Sequence, residues 1–244
     1  MIRGVTKGFT AYFEAYEIIS RLKLWKFFAI PMLISFGFFL IIALLSYTFY
    51  DSIGSYITSL WVWDFGKEIV STISNLFGGF IILIFGFIIF KYTVIALSAP
   101  FMGPISKKIE DDFTGSFSQT KVSSSFDLLL RGVRVSSRNL LRELLLTIPI
   151  IAVGLIPVIG LFSAVLLFLM QAYFVGFGNM DYTLERYFSY QKSILFVKKH
   201  KGVAIGNGIV FMVFLLIPFI GVILVVPFSV TAATIATVKL INEV

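Results

Sequence analysis

The groups in this sequence able to act on another molecule are cationic side chains and backbone amides, not nucleophiles. Cys is absent, which excludes thiolate chemistry, disulfides and Cys-ligated metals. The single histidine, His200, sits in Lys198-Lys199-His200-Lys201, a setting for solvent or lipid headgroups rather than for catalysis. No G-x-S-x-G, H-E-x-x-H, Walker A or G-x-G-x-x-G motif occurs. No nucleophile–base pair is visible, so an intramembrane enzyme is the least supported class, and no metal or cofactor is expected.

What remains is anion chemistry. Arg21, Lys23 and Lys26 cluster just before the first long apolar run. There they would either anchor the chain to lipid or raise the local concentration of an anion. Arg131, Arg134, Arg138 and Arg142 recur at intervals of three, four and four. That spacing lines four guanidiniums along one helix face, opposite Leu129, Leu130, Val133, Leu140 and Leu141. Such a face would contact phospholipid headgroups or form an anion-collecting vestibule. Gly160 and Gly221 close the repeated pattern Ile156-Pro157-Val158-Ile159-Gly160 and Ile217-Pro218-Phe219-Ile220-Gly221. A helix starting at either glycine would aim unpaired N–H groups and the positive end of its dipole at an anion. A plain structural turn is the other reading of both patterns.

The elements that must position these groups are apolar. Of 244 residues, 58% are hydrophobic and 14% charged, well below the soluble norm of about 25% charged. The chain therefore reads as an all-α integral membrane protein. Phe27–Tyr50 is uncharged and long enough to cross, so 27–50 is predicted as the first transmembrane helix. It is too long for a signal-peptide core and is expected to be retained. The second is predicted over 69–97, with Ser98–Pro104 breaking it at two prolines. Residues 1–26 and 126–143 read as cytoplasmic amphipathic helices at the membrane interface.

Two further uncharged blocks, 144–180 and 202–238, are each 37 residues long, with Pro-x-x-Gly near the middle. Two full crossings and a turn need somewhat more than 40 residues, and one crossing needs only about 20. A half-penetrating, re-entrant helical hairpin fits each block. Its turn is tolerated at depth only under cover of protein or a water-filled cavity. Of the 20 Lys and Arg, all but Lys67 fall on or toward one side in this topology, with Lys91 near the inner boundary of the second helix, which puts both termini in the cytoplasm. The net charge of +7 is thus accounted for by membrane orientation, and nucleic acid is not expected as a partner. Gly202-x-x-x-Gly206 has helix-packing spacing, whereas Gly4-x-x-x-Gly8 is taken as chance.

Several landmarks together carry a family resemblance. Ala99-Pro100-Phe101 is followed by Ile105, Ile109-Glu110 and Thr114-Gly115. Asp181-Tyr182, Phe188 and the basic segment ending at Lys201 come next, then Ile217-Pro218, Pro227 and Ala233-Thr234. In this order the chain resembles the CysZ-type sulfate permeases of the etoposide-induced-protein family, from about Gly8 to Leu240. The resemblance implies two long transmembrane helices with two half-penetrating hairpins, and a homo-oligomer in the bacterial inner membrane. It also implies channel-like or proton-independent sulfate uptake for cysteine synthesis. Ser20–Lys26 is loosely similar to the family segment linked to sulfate binding, and so marks Arg21, Lys23 and Lys26. The expected function is transport of sulfate or a related oxyanion. The alternative is a non-conducting membrane scaffold or lipid-interacting protein.

Overall fold

Helices follow the apolar runs. The computed structural model describes residues 1–59, 67–115, 124–154, 159–217 and 220–243, and no strand occurs among them. The elements are α1 (Ile2–Arg21), a 3₁₀ segment (Leu24–Phe28), α2 (Ala29–Ser59), α3 (Lys67–Thr114), α4 (Ser125–Gly154), α5 (Ile159–Tyr187), α6 (Tyr190–Lys199), α7 (Lys201–Leu215) and α8 (Ile220–Asn242). Leu24–Tyr56, Phe162–Tyr187 and Leu224–Asn242 are long and apolar enough to cross a membrane. The protein is an all-α membrane protein. It divides into two units, Leu33–Lys91 and the combination of Met1–Met32 with Tyr92–Val244.

The smaller unit is an antiparallel pair built from α2 and the first part of α3. Phe38 meets Phe90 at 5.8 Å between ring centroids, and Ile42 fills the space beside Gly86. Large apolar side chains such as Leu33, Phe36, Phe39 and Leu44 point away from this contact and stay exposed. An apolar exterior of this kind is stable only in lipid.

The larger unit is organised around α7. Small residues let its neighbours approach on two sides. A methyl added at Gly4 of α1 would lie 3.2 Å from the Cα of Gly202, and one at Gly206 would lie 3.0 Å from the carbonyl carbon of Val5. On the other side, a methyl at Gly176 of α5 would lie 2.6 Å from the carbonyl carbon of Ala204. One at Gly208 would lie 2.5 Å from that of Ala172. These separations leave no room for a side chain, so glycine is required for helices to touch backbone to backbone. The Gly4/Gly8 spacing, expected to be chance, is half of this packing surface; its partner is the Gly202/Gly206 pair.

The expected helix break at Ser98–Pro104 does not occur. One helix, α3, runs for 48 residues with Pro100 and Pro104 inside it. Proline there removes an N–H that an upstream carbonyl would have used. Neighbouring elements cover the affected turn: the Tyr182 hydroxyl donates to the Ile95 carbonyl, and Gly132 of α4 lies against Ala96. Prolines inside membrane helices persist under such cover.

α4 and α5 form a helical hairpin. Arg131 pairs with Asp181, Asn139 donates to the Phe174 carbonyl, and Gly154 lies beside Ser163. The partner's number falls as the residue's number rises, so the legs are antiparallel. α7 and α8 are joined near their polar middles, where Asn207 Nδ2 donates to the Ser229 carbonyl at 3.0 Å.

Candidate anion site and buried polar core

α5 is described from Ile159 and α8 from Ile220, so Gly160 and Gly221 each lie in the first described turn of a helix. Pro157, Val158, Pro218 and Phe219 lie outside the described residues.

The first cationic group is split by backbone geometry. α1 ends at Arg21, Lys23 takes a left-handed conformation with φ 52°, and the 3₁₀ segment leaves in a new direction. Arg21 is held by Asp112 of α3 in an ion pair. Lys26 lies 5.3 Å from the Phe27 ring, and both Lys23 and Lys26 are exposed. Trp25 and Phe28 stack on each other at 5.1 Å, and both meet Phe228 of α8. This aromatic clasp fixes the segment that carries Lys26 against Phe228 of α8.

The four arginines of α4 have different surroundings. Arg131 is bidentate on Asp181 at 2.8 and 2.9 Å, and also donates to Ser193 Oγ and the Phe188 carbonyl. Burial works against its charge, but the hydrogen bonds and charge of Asp181 outweigh burial and raise its pKa. Arg131 is a structural clamp between the ends of the first hairpin. Arg134 lies over the Tyr190 ring at 5.2 Å. Arg138 lies 4.9 Å from the Phe177 ring centre, gives one hydrogen bond to Asn139, and has a buried Nε without a partner. Burial first, and then the like charge of Arg142, lowers its pKa. Among the described residues neither Arg138 nor Arg142 meets a carboxylate. An arginine remains charged despite such a shift. Among the described residues Arg138 and Arg142 thus form no ion pair, and the only carboxylate charge acting on Arg138 is that of Asp181, which Arg131 already holds.

Sequence reasoning missed a polar core at the base of the hairpins. Arg186 reaches Glu110 at 2.6 Å with both side chains buried. The same nitrogen, Nη2, also donates to Ser106 Oγ, Nη1 donates to the Tyr182 carbonyl, and Tyr187 also donates to Glu110. Ser106, Thr183 and Thr234 form a hydroxyl triangle with edges of 2.8 to 3.1 Å, which ties α3, α5 and α8 together. Asn207 joins the remaining helices. Asn179 donates to its side chain at 2.9 Å, its own amide donates to Ser229, and its backbone carbonyl accepts from Tyr12 of α1. Tyr12 also donates to Ser229 Oγ, and burial pushes its pKa far above the usual tyrosine range. The hydroxyl therefore stays protonated and available as a donor. Asn179 and Asn207 each stand inside an otherwise uncharged apolar block, and that was the legible signal: amides in such blocks hydrogen-bond between helices. Among the described residues no cluster fit to hold a metal occurs.

An all-α membrane protein with glycine-packed helical hairpins and cationic residues at their margins is the class this architecture defines. The profile of one family, described as sulfate transporter CysZ/etoposide-induced protein 2.4, matches residues 11–227, from within α1 to Pro227 of α8. The chain belongs to that family. No curated protein sequence matches it.

Proposed function

We propose that the protein is a channel or transporter for sulfate or a related oxyanion, feeding sulfur assimilation, and that it works as a homo-oligomer in the bacterial inner membrane. The observation that carries this reading is the Arg138–Arg142 pair. Two neighbouring guanidiniums that form no ion pair among the described residues attract a mobile anion, whereas Arg131, which makes four hydrogen bonds and holds Asp181, does not. Family membership favours sulfate as the anion.

The half-penetrating form of the two blocks belongs to this proposal. At 15 residues α7 is about 22 Å long, against a hydrocarbon core of about 30 Å. A leg that short favours a hairpin that turns inside the lipid. α5 and α8 then present their N-termini, with Gly160 and Gly221, at depth, as broken helices do in transporters. Lys23 and Lys26, with Arg21 behind them, gather anions at the mouth, and both termini lie in the cytoplasm with the bulk of the positive charge. No covalent step is involved.

The test is uptake of labelled sulfate into proteoliposomes. Flux above that of empty vesicles is expected, falling severalfold in Arg138→Gln. Flux equal to empty vesicles under every gradient would leave the non-conducting, lipid-interacting alternative. Because the chain has no native Cys, Val158→Cys and Phe219→Cys give a separate readout of the turns. Labelling by a water-soluble thiol reagent is expected if the turns line the route, and complete protection removes them from it.

A further inference from the structure

An open groove of about 440 Å³ runs along α6, away from the residues assigned to the anion route. Phe188, Leu195 and Phe196 form its apolar wall, and Lys192, Lys199 and His200 its polar edge. Lys192, Leu195, Phe196 and Lys199 stand at i, i+3, i+4 and i+7, so the groove is one face of the helix. On that face Leu195 is 65% exposed, although it is fully apolar. The aromatic rings form a continuous rail: Phe188 to Phe196 is 5.3 Å, and Phe196 to His200 is 4.6 Å.

The charge around the groove is positive and unspent. Lys192 and Lys199 are exposed, and neither has an ion-pair partner among the described residues. The carboxylate whose charge acts on His200, that of Glu243, is taken up by Lys7 at 2.8 Å. His200 Nε2 is buried without a hydrogen-bond partner among the described residues. An occupant must therefore bring a negative, hydrogen-bonding group for the edge and a chain of apolar carbon for the wall.

We propose that this groove binds one anionic phospholipid, with the phosphate between Lys192, Lys199 and His200 and the acyl chain along Phe188, Phe196 and Leu195. A zwitterionic lipid offers the same tail but no net charge, and free phosphate offers the charge but no tail. Each alone leaves half of the surface unmatched. The site is distinct from the sulfate route, and its test does not depend on transport.

Native mass spectrometry of the purified full-length protein in detergent reads the outcome, with dioleoyl phosphatidylglycerol and dioleoyl phosphatidylcholine as probes. The first phosphatidylglycerol is expected to bind roughly 30-fold more tightly than phosphatidylcholine, from about 1 kcal/mol for each of two lysines. The preference should vanish in K192E/K199E and persist in K107E/K108E, which carries the same change in net charge elsewhere. Millimolar inorganic phosphate should not displace the lipid. Equal retention of both lipids overturns the proposal, as does an unchanged preference in K192E/K199E. Displacement by phosphate overturns it too, by making the site an ion site. Leu195→Cys supplies a check that needs no charge change: a disulfide-linked dimer in native membranes would place a second copy in the groove and overturn the proposal.

Discussion

The two apolar hairpins have uncharged stretches of equal length and an almost identical turn sequence, yet they pack differently. In the second, every residue from Gly202 to Gly208 is buried, and 78% of the most apolar part of α8 is covered by protein. In the first, the corresponding part of α5 is only 44% covered. α4 adds Leu141, Leu145 and Ile148 to the exposed surface, and α5 adds Phe162 and Leu166. The difference lies in side-chain size. Gly and Ala on α7 admit neighbouring backbones on two sides, while the Leu-rich faces of α4 and α5 hold neighbours off and meet lipid. Equal uncharged length therefore hides a hub and a flank.

The largest expected effect comes from the place where hub and flank share a polar joint, with Arg186 and Thr183 of α5 and Thr234 of α8 gathered around Ser106 and Glu110. Glu110→Ala leaves the Arg186 guanidinium buried and unpaired and should cost about 3–5 kcal/mol, seen as a large drop in melting temperature in detergent. Arg186→Met combined with Glu110→Leu should recover most of that loss; no recovery would mean that the pair is more than a matched charge.

Gly208→Ala attacks the hub from within α7, at its backbone contact with α5. The added methyl meets Ala172 backbone and should cost about 1–3 kcal/mol, while Leu145→Ala on the flank should leave the melting temperature nearly unchanged. Equal losses in the two variants would erase the distinction between the hairpins. Asn207→Ala, which keeps the small size of the hub but removes its hydrogen bonds to Asn179 and Ser229, should cost roughly 1–3 kcal/mol by the same measurement.

The smallest effect is one of pH, at the link between the hairpins. Burial, with Lys199 beside it, holds the His200 pKa below its ordinary value of 6.5. Between the folded and unfolded pKa values the unfolded chain binds more protons. The contribution is thus present above pH 6.5 and lost as pH falls through the lower folded pKa. Comparing wild type with His200→Gln from pH 7.5 to 5 should show a slightly steeper acid decline in the wild type; parallel curves would remove His200 from the account.

Much of the fold was written in residue spacing. The apolar run 27–50 and the basic periodicity of α4 both follow from local sequence, because each is a statement about neighbours in the chain. What escaped were contacts between distant positions. Arg131 and Arg138 occupy the same helical stripe, and nothing in the stripe says that Asp181, 50 residues on, neutralises one and not the other. Pro100 and Pro104 looked like a break because their effect on one helix is local, while the Tyr182 and Gly132 contacts that cover the turn come from α5 and α4. Gly4 and Gly8 looked incidental for the same reason. A small-residue spacing acquires meaning only beside its mate.

The docking of α1 onto α7 also sets an order of assembly. Tyr12 must wait for Asn207, 195 residues later in the chain, before its hydrogen bond can form. At about 5–20 residues per second, the first helix waits roughly 10–40 s before the ribosome delivers its partner. During that interval its glycine face is bare, and an insertase or chaperone that shields it would set how much of the nascent protein reaches its finished form.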